Sequence, residues 1–333
     1  MTTSVIRFTF ATPRPDADVR REIISTAAEL VQWADGCGVA AVSIDEHHVT
    51  GHGWSSNPVL AATMFLARTE RLYASIDCAL GPLWNPLRLA EDIAFVDAMS
   101  GGRLITTVGL GYRPVEYAAM GVSFSQRAEL MDRLLGEMLR AWSNLPIVDI
   151  DPGSSIGSRS WVQPHPPLFV GGGVRATARR AAHHGLGLSL PDYLPDIADY
   201  YRELCAQAGT TPAIIMPARV NRGMIFLHED PEKAWTDLGE HLLWEAATYG
   251  GWSPAVARSS MHLPGVHTLD AVRRSGRYRF LTPEELIDEV RESPDYGPIV
   301  LHPLVGGMPI DEAWRSVHLL TDKVLPALAE TSP

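Results

Sequence analysis

Lysine is almost missing from this chain of 333 residues. Lys233 and Lys323 are the only two among 28 basic residues, the other 26 being arginines, and 39 acidic residues bring the formal net charge to −11. Nucleic acid and anionic membranes demand a concentrated basic surface, so neither is expected as the main partner; a small molecule is. Cysteine is scarce too. Cys37, Cys78 and Cys205 are far apart and form no CxxC pair, which argues against a disulfide framework or a zinc ribbon and for reduced thiols. No run of 18 apolar residues is present, and Met1 leads straight into Val5-Ile6-Arg7-Phe8-Thr9-Phe10 with no basic region followed by an apolar one, so the expected location is the cytoplasm. The chain has neither a Walker loop nor a GxSxG elbow. Gly109-Leu110-Gly111 is followed by Pro114 where a dinucleotide fingerprint needs its third glycine, so no NAD(P)-binding module is expected.

What is present is ordinary globular chemistry, 46% hydrophobic and 20% charged. Short apolar strands alternate with amphipathic helices, the pattern of parallel βα units. Strands are expected at 5–10, 39–44, 72–78, 103–109, 168–171, 186–190, 219–227 and 298–302. Helices are expected at 18–36, 58–68, 86–99, 125–142, 174–184, 194–208, 231–247 and 309–328. Eight of each imply an α/β fold, a (β/α)8 TIM barrel in one domain over 1–333, with insertions at about 143–167 and 248–281. Long loops of this kind usually serve as lids or interfaces. In such a barrel the ligand lies over the C-terminal strand ends, and His47, Asp77 with Cys78, Gly109 to Arg113, and Gly171 to Gly173 all fall there.

The apolar run Val39–Ile44 stops at Asp45-Glu46-His47-His48 and passes through Thr50–Asn57 before Pro58 opens a helix. Acid and base side chains at the end of a buried strand are held by a rigid scaffold within reach of substrate. The plain alternative is a capped turn with a hydrogen-bonded histidine. Metal binding by His47, His48 and His52 is a further alternative, although neighbours in an extended segment point to opposite sides.

Phe169-Val170-Gly171-Gly172-Gly173-Val174-Arg175-Ala176-Thr177 sets three glycines between a strand and a helix. Free backbone N–H groups and the helix dipole favour a phosphate there, with Thr177 or Arg175 as side-chain donors. A tight turn with positive φ would need only one of the three.

Taken together, Glu46-His47-His48, Asn57-Pro58, Asn85-Pro86 with Ala90-Glu91-Asp92, Asp97–Arg103, Tyr112–Gly121, the triple glycine with Arg179-Arg180-Ala181-Ala182, and Val300–Gly307 resemble the bacterial luciferase-like monooxygenase family over most of the chain. The resemblance implies a barrel that binds reduced flavin at its C-terminal mouth, with His47 serving catalysis and Glu46 or His48 orienting it. It implies an acid near the flavin at Glu116, a phosphate contact from Thr177 and main-chain contacts from Gly172, Gly173 and Val174. A non-prolyl cis peptide beneath the ring would correspond to Asp77–Cys78. Trp54, Trp84, Tyr112 and Trp252 would shape the cavity. The chain departs from the family pattern at two adjacent places. Gly109 stands where the luciferase α subunit carries its reactive cysteine, and Leu110 where it carries a flavin-binding arginine, leaving Arg113 as the candidate substitute; light emission is not expected.

The reaction so implied is a two-component monooxygenation: a separate reductase delivers FMNH2, O2 adds at flavin C4a, and the hydroperoxide passes one oxygen to a small organic substrate. A homodimer is the family expectation. The nearest alternative is F420-dependent hydride transfer on the same fold, which the arginine-rich composition suits. A metal-dependent hydrolase using Glu46, His47, His48 and His52 would show stoichiometric zinc, and a non-catalytic subunit would bind no flavin.

Overall fold

Strand β1 shows how the sequence divides its residues between two environments. Ile6 and Phe8 point to the helices, Phe8 packing on Phe65 and Phe10, while the alternate residues Arg7 and Thr9 reach polar partners from other segments. The computed structural model describes residues 3–143, 145–146, 153–157, 159–252, 262–293 and 295–330. Its strands are β1 (Ser4–Phe8), β2 (Ala41–Ile44), β3 (Tyr73–Leu80), β4 (Leu104–Gly109), β5 (Leu168–Gly171), β6 (Gly187–Ser189), β7 (Ile214–Ile215), β8 (Met224–Leu227), β9 (Tyr278–Leu281) and β10 (Ile299–Leu301). They pair in the order β7-β6-β5-β4-β3-β2-β1-β10-β8-β9, every ladder parallel.

Parallel neighbours need crossover connections, and helices supply them: α1 (Ala17–Gly36), α2 (Pro58–Leu66), α3 (Pro86–Ser100), α4 (Pro114–Ala119), α5 (Arg127–Trp142), α6 (Arg175–His183), α7 (Pro195–Ala208), α8 (Pro231–Trp252), α9 (Leu269–Ser275), α10 (Pro283–Glu292), α11 (Ile310–Leu319) and, after a π turn at 320–324, α12 (Leu325–Ala329). Several starts are written in the sequence. Asp16, Asn57 and Asn85 each accept the amide three residues on, and Pro58 and Pro86 occupy the first helical position, where no N–H is needed. Thr282 and Glu285 close a reciprocal capping box on α10.

The α/β class is as expected, but the described residues contain ten strands where eight were expected. The short β7 lies in what was expected to be a connection. The strand placed at 219–227 begins only at Met224, because Gly223 turns with φ +68° and a side chain there would strike the Gly276 and Arg277 carbonyls. Within 248–281, α8 continues to Trp252, and α9 and β9 follow. Arg279 sits in β9 and is neutralised by Glu289, which hides a strand inside an arginine-rich run. A separate apolar cluster built on Phe226, Trp235 and Phe280 packs α8 onto β8 and β9. Of the segment 143–167, the described backbone near 161–162 is fastened by Asp97, whose Oδ2 accepts the Trp161 and Val162 amides. Among the described residues, no helix is long and apolar enough to cross a membrane.

Asp35, in the last turn of α1, accepts the backbone N–H groups of Glu70, Arg71 and Leu72 at 2.7–2.9 Å and so fixes the entry to β3. Burial pushes this carboxyl up, but the three amides and Arg71 outweigh it and hold it below its ordinary value. A depressed carboxylate stabilises the fold above the unfolded-state pKa and loses that contribution as pH falls through the lowered value. Asp35→Ala is therefore expected to cost about 3 kcal/mol at neutral pH, since it strands three donors, and the deficit should shrink on acidification. Urea unfolding of both proteins across the acid range checks this.

Candidate active site

β2 to β5 are consecutive in the sheet and parallel, so the segments leaving their C-terminal ends share one rim. The Glu46–His48 run leaves β2, Cys78 to Trp84 closes and leaves β3, Gly109 to Glu116 leaves β4, and the triple glycine leaves β5. Most of the residues singled out from the sequence therefore lie on that rim, in three groups.

The first group centres on Glu116, which is fully buried. Its Oε1 accepts from His47 Nδ1 at 3.0 Å, the His48 amide at 3.0 Å and Arg113 at 2.8 Å, while Oε2 is buried without a hydrogen-bond partner. Burial pushes the Glu116 carboxyl up, but His47, the His48 amide and Arg113 together hold it below the usual range. An ionised Glu116 accepts only, so the His47 proton is placed on Nδ1 and Nε2 is left unprotonated in the neutral ring. Nε2 lies 3.5 Å from the Tyr112 hydroxyl, too far for a strong bond. The His47 ring meets Trp54, Tyr112, Tyr249 and Trp252 edge-on, with centroids 5.3–5.9 Å away.

Glu46 points elsewhere. It accepts the Leu80 amide at 2.6 Å, the Trp84 indole N–H at about 3 Å and His48 Nε2 at 2.8 Å. The bond to Glu46 raises the His48 pKa against the opposing effect of burial. The two adjacent histidines thus serve two different carboxylates. His52 lies apart, its ring edge-on to Trp244. Among the described residues, no group of three or more His, Cys, Asp or Glu side chains is arranged to hold a metal ion.

The second group lies on β3 and β4. Asp77 accepts from Ser43, Ser75 and Thr107 hydroxyls at 2.7–3.3 Å, and the Asp77–Cys78 peptide is cis. Burial pushes the Cys78 thiol up to about 12, so it stays protonated and unreactive. Its Sγ lies where it would collide with a Cβ on Gly109.

The third group is the glycine run. Gly172 has φ +144° and a side chain there would meet the Thr177 hydroxyl at 2.7 Å; side chains at 171 and 173 would strike Thr107 and Leu194. The three glycines thus let Thr107, Thr177 and Leu194 pack directly against the main chain, and the Gly172 amide is given to the Ser189 carbonyl. Val174 caps α6 with no side-chain hydrogen bond, leaving first-turn amides for a ligand. Arg175 stacks over Tyr200. Arg113, the candidate substitute for the missing arginine, instead bonds Glu116 and the His48 carbonyl and lies 4.2 Å over the Trp252 ring, so it belongs to the first group.

Of the four aromatics expected to shape the cavity, Trp54, Tyr112 and Trp252 surround His47, while Trp84 serves Glu46. Tyr249 was not anticipated; the spacing of Tyr249 and Trp252 would have marked one face of a helix had α8 been extended to include them. Also unforeseen are Arg7, bonded to Asp45, which accepts in turn from the Trp54 indole, and a buried Glu245–His302 pair.

Comparison with known proteins adds an independent line. The family model described as luciferase-like monooxygenase matches residues 5–288. The alkanal monooxygenase alpha chain of a Kryptophanaron alfredi symbiont is 26% identical over 187 residues, 55% of this chain and 52% of the relative. The oxygenase component of flavin-dependent trigonelline monooxygenase from Acinetobacter baylyi is 27% identical over 163 residues, 46% of this chain and 45% of the relative. The chain thus aligns with only about half the length of these curated relatives. The crystal structure of monooxygenase RslO1 from Streptomyces bottropensis superposes with a TM-score of 0.75 at 24% identity, covering 98% of this chain and all of that one, a likeness of fold.

The Cys78–Gly109 contact is testable alone. Gly109→Ala forces a carbon into the thiol and is expected to cost about 1–3 kcal/mol, the usual range for overpacking. Cys78→Ala removes the sulfur and should restore most of that loss in the double variant. Thermal unfolding of all four proteins gives the coupling; purely additive losses would refute the contact.

Proposed function

We propose, since the chain belongs to the luciferase-like monooxygenase family, that it is the oxygenase component of a two-component flavin enzyme that inserts one atom of O2 into a small organic substrate. The observation that carries this reading is His47, its Nδ1 tied to an ionised Glu116 and its Nε2 beside the Tyr112 hydroxyl within an aromatic enclosure, on the same rim as the triple glycine. The relative named as an oxygenase component supports a separate reductase as the supplier of reduced FMN. The proposal extends to a single-domain subunit, cytoplasmic and homodimeric, on the strength of the family resemblance.

The residues present fit a flavin phosphate. Gly172, having no Cβ, lets the Thr177 hydroxyl lie beside the main chain, and Val174 with the first turn of α6 offers amides that no side chain caps. The Asp77–Cys78 segment, braced by three hydroxyls on Asp77, would carry the ring. Bound reduced FMN would supply the electrons that activate O2. The chain's own part is to hold and move a proton: Glu116 keeps His47 Nδ1 protonated, so transfer to or from the reacting centre runs through Nε2. The four rings exclude water from that nitrogen, and Arg113, pressed between Glu116 and Trp252, keeps the carboxylate charged.

A thermal-shift screen of FMN against F420 with wild type, Thr177→Ala and His47→Ala tests this. FMN should stabilise the wild type. Thr177→Ala should weaken FMN binding about tenfold, the value of one charge-assisted hydrogen bond. His47→Ala should bind FMN normally and lower oxygen-dependent turnover over a panel of aldehydes, ketones and amines by roughly 100-fold or more. Anaerobic turnover with reduced F420, and none with FMNH2, would overturn the reading.

A further inference from the structure

Glu245 is a fully buried carboxylate that the catalytic scheme does not use. It sits on α8 and accepts from three other segments: His302 Nε2 at 2.9 Å after β10, the Gly306 amide at 3.2 Å in the following turn, and the Thr9 hydroxyl at 3.2 Å after β1. Burial pushes its carboxyl up, but the charge and hydrogen bond of His302, with Arg7 and the Gly306 amide, hold it below its ordinary value. One and two turns further along the same helix face stand Tyr249 and Trp252, at positions i+4 and i+7. Both lie against the His47 ring, at 5.9 and 5.3 Å, and Trp252 also lies under Arg113, the partner of Glu116.

We infer that Glu245 is a positioning residue: its three hydrogen bonds pin the C-terminal half of α8 to the strand ends at β1 and β10, and so hold Tyr249 and Trp252 as the wall that closes over His47. The role in turnover rests on the proposed function, but the wall itself does not. A helix can lean away from a sheet by a small rotation, and a hydrophobic contact alone resists this without direction. A buried carboxylate bonded on three sides resists it with direction, because each displaced bond would leave a polar group unsatisfied. Leu242 and Ala246 pack the same helix onto the apolar cluster of β8 and β9, and Glu245, between them in the chain, adds the directional bonds at the level just before Tyr249 and Trp252. The expected consequence of losing it is local: the fold persists while the wall opens.

Diethylpyrocarbonate labelling of the full-length chain without added cofactor, read by peptide mass spectrometry, follows His47 against the exposed His318 as internal reference. Glu245→Ala should raise the labelling rate of His47 on the order of tenfold, as loss of hydrogen bonds to a charged group permits, with His318 unchanged. Trp252→Ala should do the same directly, and Glu245→Gln, which keeps the shape and an acceptor, should stay near wild type. The inference is overturned if His47 in Glu245→Ala labels at the wild-type rate, if His47 and His318 rise together, if Glu245→Gln opens as far as Glu245→Ala, or if Trp252→Ala leaves His47 protected. Should Glu245→Ala not fold, Thr9→Val removes one of the three bonds; a rise of about threefold at His47 supports the inference and no rise overturns it. Because no flavin is present, the outcome is independent of whether FMN is the cofactor.

Discussion

A charge sealed away from water must be satisfied by fixed partners, and Glu116 imposes that demand on everything around it. Its Oε1 gathers an imidazole, a backbone amide and a guanidinium from two different strand ends. Those bonds settle three matters at once. They choose the His47 tautomer, they tie the β2 and β4 segments together across β3, and they hold Arg113 where it can lie over Trp252. Burial favours the neutral acid, yet the three donors prevail and the group is held ionised. A neutral Glu116 could donate to His47 instead of accepting from it, and the free nitrogen would then change sides.

The same principle separates two carboxylates that are close in the chain. Glu46 supports its strand's neighbour, accepting the Leu80 amide and the Trp84 indole, and its bond to His48 raises that imidazole's pKa. Had both histidines shared one carboxylate, each would have weakened the other's bond. The alternation of side chains along an extended segment sends His47 inward to Glu116 and His48 to the opposite side, to Glu46.

Much of this was legible in the chain, for reasons that can be named. The strand-to-polar junction at Asp45–His48 and the triple glycine are local signals: each needs only the next few residues to be understood, and the elements around them formed where the periodicity put them. Capped helix starts at Asp16, Asn57 and Asn85 were equally local. What escaped depends on partners distant in sequence. β9 contains Arg279, a poor strand residue until Glu289 neutralises it. Glu245 looks like any helical glutamate until Thr9, His302 and Gly306 come from 236, 57 and 61 residues away to meet it. Tyr249 and Trp252, taken as loop, lie in the final turns of a helix that has two adjacent glycines near its end, Gly250 and Gly251, which argue locally against its continuation.

The expected absence of a reactive cysteine at Gly109 has a packing counterpart in the structure. With Cys78 on the neighbouring strand, the thiol already occupies the volume that a side chain at 109 would enter, so a cysteine at both positions would collide. Burial, raising the Cys78 pKa to about 12, makes this sulfur a packing group rather than a nucleophile. At 110 the chain carries no positive charge, and Arg113 is committed to Glu116 and the His48 carbonyl. Releasing Arg113 toward a phosphate would strip a buried carboxylate of one of its three partners, a cost that a solvent-exposed phosphate contact would not offset. An anion at this rim therefore depends on backbone amides and Thr177, whose strength comes from geometry rather than from opposite charge. The glycines matter there because they let side chains close on the main chain, which sets the Thr177 hydroxyl beside Gly172 at the start of α6.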